Sequence, residues 1–168
     1  MSASVPAQGA GNWIGLPDEA ATIDFAARLA RALPAADAPL VLHLHGDLGA
    51  GKTTLARGML QALGESGPVR SPTYALMAEY EPQGRRVLHL DLYRLESPDD
   101  LLALGLADHL PDSTLWLIEW PEKGEGGELP PADADVYLEP EGAARRASVV
   151  PRTASGRRWA AAVAADSR

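Results

Sequence analysis

The apolar positions of this chain fall into two kinds of pattern, short continuous runs and longer stretches with helical spacing. The runs are bounded by turn residues and predict strands. These strands cover residues 39–45, 74–81, 86–93, 114–118, 136–139 and 146–150. Apolar residues spaced three and four apart predict amphipathic helices. These helices cover residues 18–33, 53–63 and 155–164, and a further helix begins at residue 97.

Local signals mark where several elements begin and end. Asp18 can cap the first helix, and Pro34 ends it. Ser97 is expected to cap the helix at residue 97, because Pro98 suits the first helical position. The turn 82–84 joins two strands as a hairpin, which a uniform parallel repeat would not contain. The pattern therefore predicts an α/β fold with a mixed central sheet flanked by helices in three layers.

Residues Gly46 to Thr53 carry the pattern G-x-x-x-x-G-K-[ST] between a predicted strand and a predicted helix. The glycines let successive backbone N–H groups converge on phosphate oxygens, and the helix N-terminus adds partial positive charge. Lys52 is expected to bring a charge to the β- and γ-phosphates, and the Thr53 hydroxyl to ligate Mg²⁺. The sequence therefore predicts a P-loop that binds a nucleoside triphosphate with magnesium.

A phosphate loop of this kind also needs a carboxylate to hold the magnesium ion. The usual source is an acidic residue at the end of an apolar strand, and the chain offers two. Glu119 follows the run at 115–118, and Asp91 follows the run at 87–90. Together with Lys52, these two acids are the predicted catalytic residues, and with Thr53 they are the predicted metal ligands.

Several other side chains were weighed for the same site. Ser71-Pro72-Thr73 could sense the γ-phosphate as a switch segment does, although a simple turn is the favoured interpretation. Trp120 could stack on a base, although packing is favoured. Arg57 and Arg94 could each reach a phosphate, but neither is clearly an arginine finger.

The histidines do not have the spacing of a metal-ligand set. His43 and His45 share one face of a predicted strand, and His89 lies on another. We expect them to give packing or polar support.

Length and composition indicate one ordinary globular domain over residues 13–168, preceded by a disordered segment at 1–12. The 168 residues are 46% hydrophobic and 23% charged, and none is cysteine. Disulfides and cysteine–zinc sites are therefore excluded. The chain shows no signal peptide and no apolar stretch that could span a bilayer. These features favour a cytoplasmic protein.

The formal net charge of −8 argues against autonomous binding of nucleic acid. The only basic pairs are Arg85-Arg86, Arg145-Arg146 and Arg157-Arg158. Each pair is expected to be solvated surface rather than a phosphate grip.

Four motifs occur in order along the chain: residues 46–54, Ser71-Pro72-Thr73-Tyr74, His89-Leu90-Asp91-Leu92-Tyr93-Arg94-Leu95 and Ile118-Glu119-Trp120-Pro121-Glu122. This combination closely resembles the bacterial TsaE family, also known as YjeE, from about Leu16 to the last helix. The resemblance implies a small P-loop ATPase, with ATP and Mg²⁺ bound, that is needed for threonylcarbamoylation of adenosine 37 in tRNA. It implies partners, the TsaD–TsaB pair, which would hold the tRNA, so that tRNA contact is indirect.

The resemblance also assigns residues. Glu119 matches the family's Walker B-like acid, Asp91 matches a second acid near the metal, and residues 71–73 match a switch-like segment. Tyr93 and Trp120 match positions near the nucleotide. The expected nucleotide contacts are Gly46, Asp47, Leu48, Gly49, Ala50, Gly51, Lys52, Thr53, Thr54, Thr73 and Trp120.

Two other functions remain open at this point. A small-molecule kinase would use the same loop, but it usually has an arginine-rich lid, and no clear lid is present. A nucleotide-dependent interaction switch that does not hydrolyse ATP would need the loop and the segment 71–73 but no catalytic base.

Overall fold

The computed structural model describes residues 12–35, 38–72, 74–109 and 115–166. The strands are β1 (Ile14–Leu16), β2 (Leu40–His45), β3 (Met77–Tyr80), β4 (Val87–Asp91), β5 (Leu115–Glu119), β6 (Ala134–Glu141) and β7 (Ala144–Pro151). The helices are α1 (Glu19–Arg31), α2 (Lys52–Ala62), α3 (Asp100–Ala103), α4 (Leu106–His109) and α5 (Ala154–Ala165). The segment predicted to be disordered, 1–12, lies outside the described residues except for its last position. Within the described ranges, no helix has the length and apolarity needed to cross a membrane.

The seven strands form one sheet in the order β1-β7-β6-β2-β5-β4-β3. The four central strands, β6, β2, β5 and β4, run parallel, whereas β3, β7 and β1 pair antiparallel at the edges. The predicted mixed sheet is therefore confirmed. Because β2, β5 and β4 are parallel neighbours, the residues that follow their carboxyl ends meet at one edge of the sheet.

Each face of the sheet is covered by its own hydrophobic cluster, which confirms the three layers. Helices α1, α2 and α5 cover one face, with Phe25, Met59 and Trp159 among the buried side chains. The opposite face is covered by the shorter helices α3 and α4 and by leucines after β4. Side chains of β5 alternate between the two clusters, with Leu117 on one side and Trp116 on the other, as the strand period of two requires.

Most predicted elements are present, and α1 begins as expected, because the Asp18 carboxylate accepts the N–H of Ala21 at 2.8 Å. The predicted Ser97 cap is present, because its Oγ accepts the N–H of Asp99 at 3.3 Å, but the regular helix begins later than expected. Helix α3 begins at Asp100, whose carboxylate accepts the N–H groups of Glu96 and Ser97 at 3.2 and 3.1 Å. This helical stretch is also broken by Gly105, which has a φ of 63° and separates α3 from α4.

Strand ends account for the other differences. Strand β3 begins at Met77 rather than at residue 74, because Leu76 has a φ of 66° and cannot continue an extended strand. Strands β6 and β7 are longer than predicted and pair along their whole length as a hairpin. Strand β1 was not predicted, since three residues are too few to show a periodic pattern.

Candidate nucleotide-binding site

The loop between β2 and α2 borders a cavity of about 460 Å³ at the carboxyl ends of the central strands. The motifs that the sequence separates by up to seventy residues meet here. The cavity is lined by Leu48, Gly49, Ala50, Gly51, Lys52, Thr53, Thr54, Ser71, Asp91, Tyr93, Arg94, Glu119, Trp120 and Arg145. Nearly all predicted site residues are thus brought together. Gly46 and Asp47 do not line this cavity, and Thr73 lies outside the described residues.

Two glycines of the loop are required, Gly51 by its positive φ and Gly46 by a close backbone contact. Gly51 immediately precedes α2 with a φ of 105°, and a Cβ there would lie 2.4 Å from the Arg145 guanidinium. A Cβ on Gly46 would lie 2.6 Å from the carbonyl oxygen of Leu138 on β6. The loop therefore packs directly on β6 and β7, and its backbone stays accessible from the cavity.

Lys52 is buried, with 5% of its surface exposed. Its amine donates hydrogen bonds to the carbonyl oxygens of Gly46 and, at 3.4 Å, of Asp47, and it lies 3.6 Å from the centre of the Trp120 ring. Burial lowers the pKa of Lys52, while Glu119 and nearby acidic groups act in the opposite direction. The loop thus holds a positive charge at the place where a phosphate-binding loop needs one.

Glu119 connects the loop helix to the sheet. It is 2% exposed, and its Oε1 accepts the Thr53 hydroxyl at 2.8 Å. Its Oε2 lies 2.6 Å from Nε2 of the fully buried His89. Since the carboxylate can only accept when ionised, His89 donates through Nε2. The polar support expected of His89 is confirmed, and its target is the predicted acid.

Asp91 lies beside Glu119, because the two residues are register partners on β4 and β5. Its Oδ2 accepts the Ser71 hydroxyl, and its Oδ1 accepts the Tyr93 N–H at 3.0 Å. The hydroxyl of Thr53 and the carboxylates of Asp91 and Glu119 line one cavity, and each can supply an oxygen ligand to a metal ion. Such a set fits a hard cation such as Mg²⁺.

Trp120 has a strained backbone, with a φ of 58°. This conformation turns the chain directly after Glu119, and the indole covers the Lys52 amine and lies 5.0 Å from the Tyr93 ring. Packing, which the sequence favoured for Trp120, is confirmed, and the ring also lines the cavity.

The arginines differ from the sequence-based expectation in several cases. Arg145 lines the cavity beside the loop and lies against Gly51, so it is not solvated surface. Arg94 also lines the cavity, whereas Arg57 pairs with Glu19 at 3.1 Å. Arg85 donates a hydrogen bond to the carbonyl of Pro34 at 2.7 Å. Of the three basic pairs, only Arg157-Arg158 has both residues exposed, as expected for solvated surface. No sequence signal identified Arg145, because the hairpin that delivers it begins nearly ninety residues after the loop.

Two other histidines, His43 and His45, lie on β2, close to the loop but outside the cavity. His45 Nε2 lies 2.7 Å from Oδ1 of Asp135 on β6, and His43 Nε2 lies 3.0 Å from the carbonyl oxygen of Pro130. Burial is the main cause that lowers the pKa of His43, so its ring is neutral at pH 7.

Comparisons with known proteins agree with this geometry. The family model described as threonylcarbamoyl adenosine biosynthesis protein TsaE matches residues 16–148. A tRNA threonylcarbamoyladenosine biosynthesis protein TsaE from Haemophilus influenzae is 42% identical over 144 residues, which cover 84% of this chain and 90% of that protein. The protein of the same name from Nostoc is 43% identical over 93 residues, 55% of each chain.

Among solved structures, YdiB from Bacillus subtilis superposes with a TM-score of 0.77 at 23% identity. The match covers 94% of this chain and 96% of that one, and it supports the fold. Since the family model spans well over half of the chain, and a relative above 30% identity aligns along most of it, the chain belongs to the TsaE family of threonylcarbamoyl adenosine biosynthesis proteins.

Proposed function

We propose that this protein is an ATPase that supports transfer of the threonylcarbamoyl group to adenosine 37 of tRNA by a TsaD–TsaB pair in the cytoplasm. One observation carries the proposal most directly. A phosphate loop, two buried strand-end acids and a loop hydroxyl converge on a single cavity. This is the set of groups that ATP hydrolysis with magnesium requires.

Phosphate binding would use the loop backbone and two cations. Lys52 and the first residues of α2 line the cavity, and Arg145 lines it from β7. An arginine and a lysine beside a phosphate chain can neutralise charge that spreads over its oxygens in the transition state.

Thr53, Asp91 and Glu119 would hold Mg²⁺, directly or through its water molecules. When bound, the ion supplies charge neutralisation at the β- and γ-phosphate oxygens. His89 donates a hydrogen bond to Glu119. The Tyr93 N–H and the Ser71 hydroxyl each donate a hydrogen bond to one oxygen of Asp91. The two acids are therefore held in fixed orientations before nucleotide arrives, which reduces the cost of reorganisation.

Partner binding is proposed from the surface around the cavity. Leu48, 73% exposed, and the partly exposed Tyr93 line the cavity. Tyr74 is 87% exposed, and its ring lies 4.6 Å from the guanidinium of Arg94, which also lines the cavity. Apolar side chains grouped at the mouth of a site favour docking of another protein over the nucleotide. The net charge of −8 disfavours direct contact with tRNA, so the partners would hold the tRNA.

The deciding experiment measures ATP turnover by the full chain, alone and with a TsaD–TsaB pair and tRNA. Turnover that rises with the pair, accompanied by repeated threonylcarbamoyl transfer, supports the proposal. Lys52→Ala should lose this turnover, while Arg57→Ala, whose side chain pairs with Glu19 away from the cavity, should keep it.

Two results would contradict the proposal. ATP binding with partner association but without turnover would identify an interaction switch. Turnover that depends on a small acceptor and ignores the pair would identify a kinase.

A further inference from the structure

A second group of ligand-type side chains lies outside the nucleotide cavity, on the two parallel strands β2 and β6. His43 and His45 are two positions apart and so face the same side of the sheet. Asp135 on β6 is the register partner of His43, which brings its carboxylate to the same face. The side chains are 10–18% exposed. The sequence spacing of the histidines gave no third ligand, because Asp135 is supplied by pairing of distant strands.

We infer that His43, His45 and Asp135 form a binding site for a divalent transition metal of the Zn²⁺ type. One nitrogen or oxygen from each residue lies within 4.8 Å of the others. Oδ1 of Asp135 is 2.7 Å from His45 Nε2 and 4.0 Å from His43 Nδ1. Ligand atoms around tetrahedral zinc are roughly 3.3–3.6 Å apart, a spacing that lies between these two distances.

The hydrogen bonds of His43 and Asp135 to groups outside the cluster leave one ligand atom of each on the cluster side. His45 Nε2 and Asp135 Oδ1 share a proton at 2.7 Å, and a metal ion would replace that proton. His43 Nε2 bonds the carbonyl of Pro130, an acceptor, so Nε2 carries the ring proton and Nδ1 keeps its lone pair. Asp135 uses Oδ2 to accept Arg152 Nε at 2.5 Å, which leaves Oδ1 on the histidine side. The Pro130 carbonyl on His43 and the Arg152 guanidinium on Asp135 Oδ2 are contacts of the kind that orient metal ligands from outside the coordination sphere.

An independent observation comes from the adjacent cavity of about 290 Å³, which is lined by His43, His45 and the turn after β5. Glu122 also lines this cavity, and its Oε2 is buried without a hydrogen-bond partner among the described residues. Glu122 stands outside the three-residue cluster, and its charge also acts on Lys52. The cavity itself gives an ion access to both imidazole rings. Imidazole nitrogens in the cluster favour zinc-like ions over Mg²⁺.

The test is a titration of the chelator-treated full chain with Zn²⁺, by calorimetry, in excess Mg²⁺ so that the oxygen site at Thr53 does not compete. We expect one Zn²⁺ per chain and a rise in the thermal midpoint. His45→Gln should weaken Zn²⁺ binding at least about tenfold. The matched control is His109→Gln. His109 lies on α4, with its Nδ1 3.0 Å from Oε1 of Glu79, so the His109→Gln variant should bind Zn²⁺ with the affinity of the natural chain.

Thermal unfolding without metal reports whether each variant folds, and His43→Gln repeats the comparison if His45→Gln does not fold. Two results would overturn the inference. One is an equal Zn²⁺ affinity in the natural chain and in whichever of His45→Gln and His43→Gln folds. The other is the absence of Zn²⁺ binding by the natural chain. The inference does not depend on ATP hydrolysis, because Zn²⁺ binding is measured without nucleotide.

Discussion

Arg145 and Arg146 are neighbours on β7 with opposite environments, and this difference gives a sharp prediction about ATP affinity. Arg145 faces the nucleotide cavity, where its guanidinium occupies the space beside Gly51. Arg146 faces the other way, and its Nε lies 2.5 Å from Oε1 of Glu139 and its guanidinium 4.4 Å from the centre of the Trp13 ring. Successive strand residues point to opposite faces, so one substitution probes the site and the other is its control.

We expect Arg145→Gln to raise the Kd for ATP about tenfold and Arg146→Gln to leave it unchanged. A hydrogen bond to a charged group contributes about 1.5–3 kcal/mol, and the partial exposure of Arg145 favours the lower end. A loss of about 1.5 kcal/mol is roughly a factor of ten in Kd.

Calorimetric titration of each variant with ATP and Mg²⁺ measures the effect, and thermal unfolding confirms that both variants fold. An unchanged Kd for Arg145→Gln, or equal weakening in both variants, would refute the assignment of Arg145 to the phosphate side of the cavity.

Three further predictions concern the loop lysine, the buried acid and a packed glycine. Lys52→Ala should weaken ATP binding at least about tenfold in the same titration, because it removes a charge-assisted phosphate contact; unchanged affinity would count against the site. Glu119→Gln should lower hydrolysis more than ATP binding in a steady-state turnover assay, and an equal loss of both would indicate a structural role. Gly156→Ala places a Cβ 1.8 Å from the backbone oxygen of Asp133, and we expect a loss of about 3 kcal/mol, or roughly 6–12 °C in Tm by calorimetry. Gly15→Ala is the control and should leave Tm nearly unchanged, because no described residue other than its chain neighbours has an atom within 4 Å of the added carbon.

Elements with strong local signals were predictable from sequence. Asp18 begins α1 and Gly51 precedes α2 because capping and left-handed backbone are decided by one or two residues. The break at Gly105 and the short strand β1 were missed, because a single glycine and a three-residue strand give little periodic signal. The left-handed backbone of Leu76, which makes β3 begin later than predicted, could not be predicted from the pattern of apolar residues either.

The chemistry proposed for the site was predicted from the sequence alone, since a phosphate loop requires particular residues at fixed, local spacing. Lys52, Thr53 and the two strand-end acids could be selected because each motif is complete within one segment. Which distant side chains join that site was decided by tertiary structure. Pairing of β6 with β7 brings Arg145 to Gly51, and pairing of β2 with β6 brings Asp135 to His43. Strand order and register place these residues together, and both depend on contacts between segments far apart in the chain, which local periodicity does not encode.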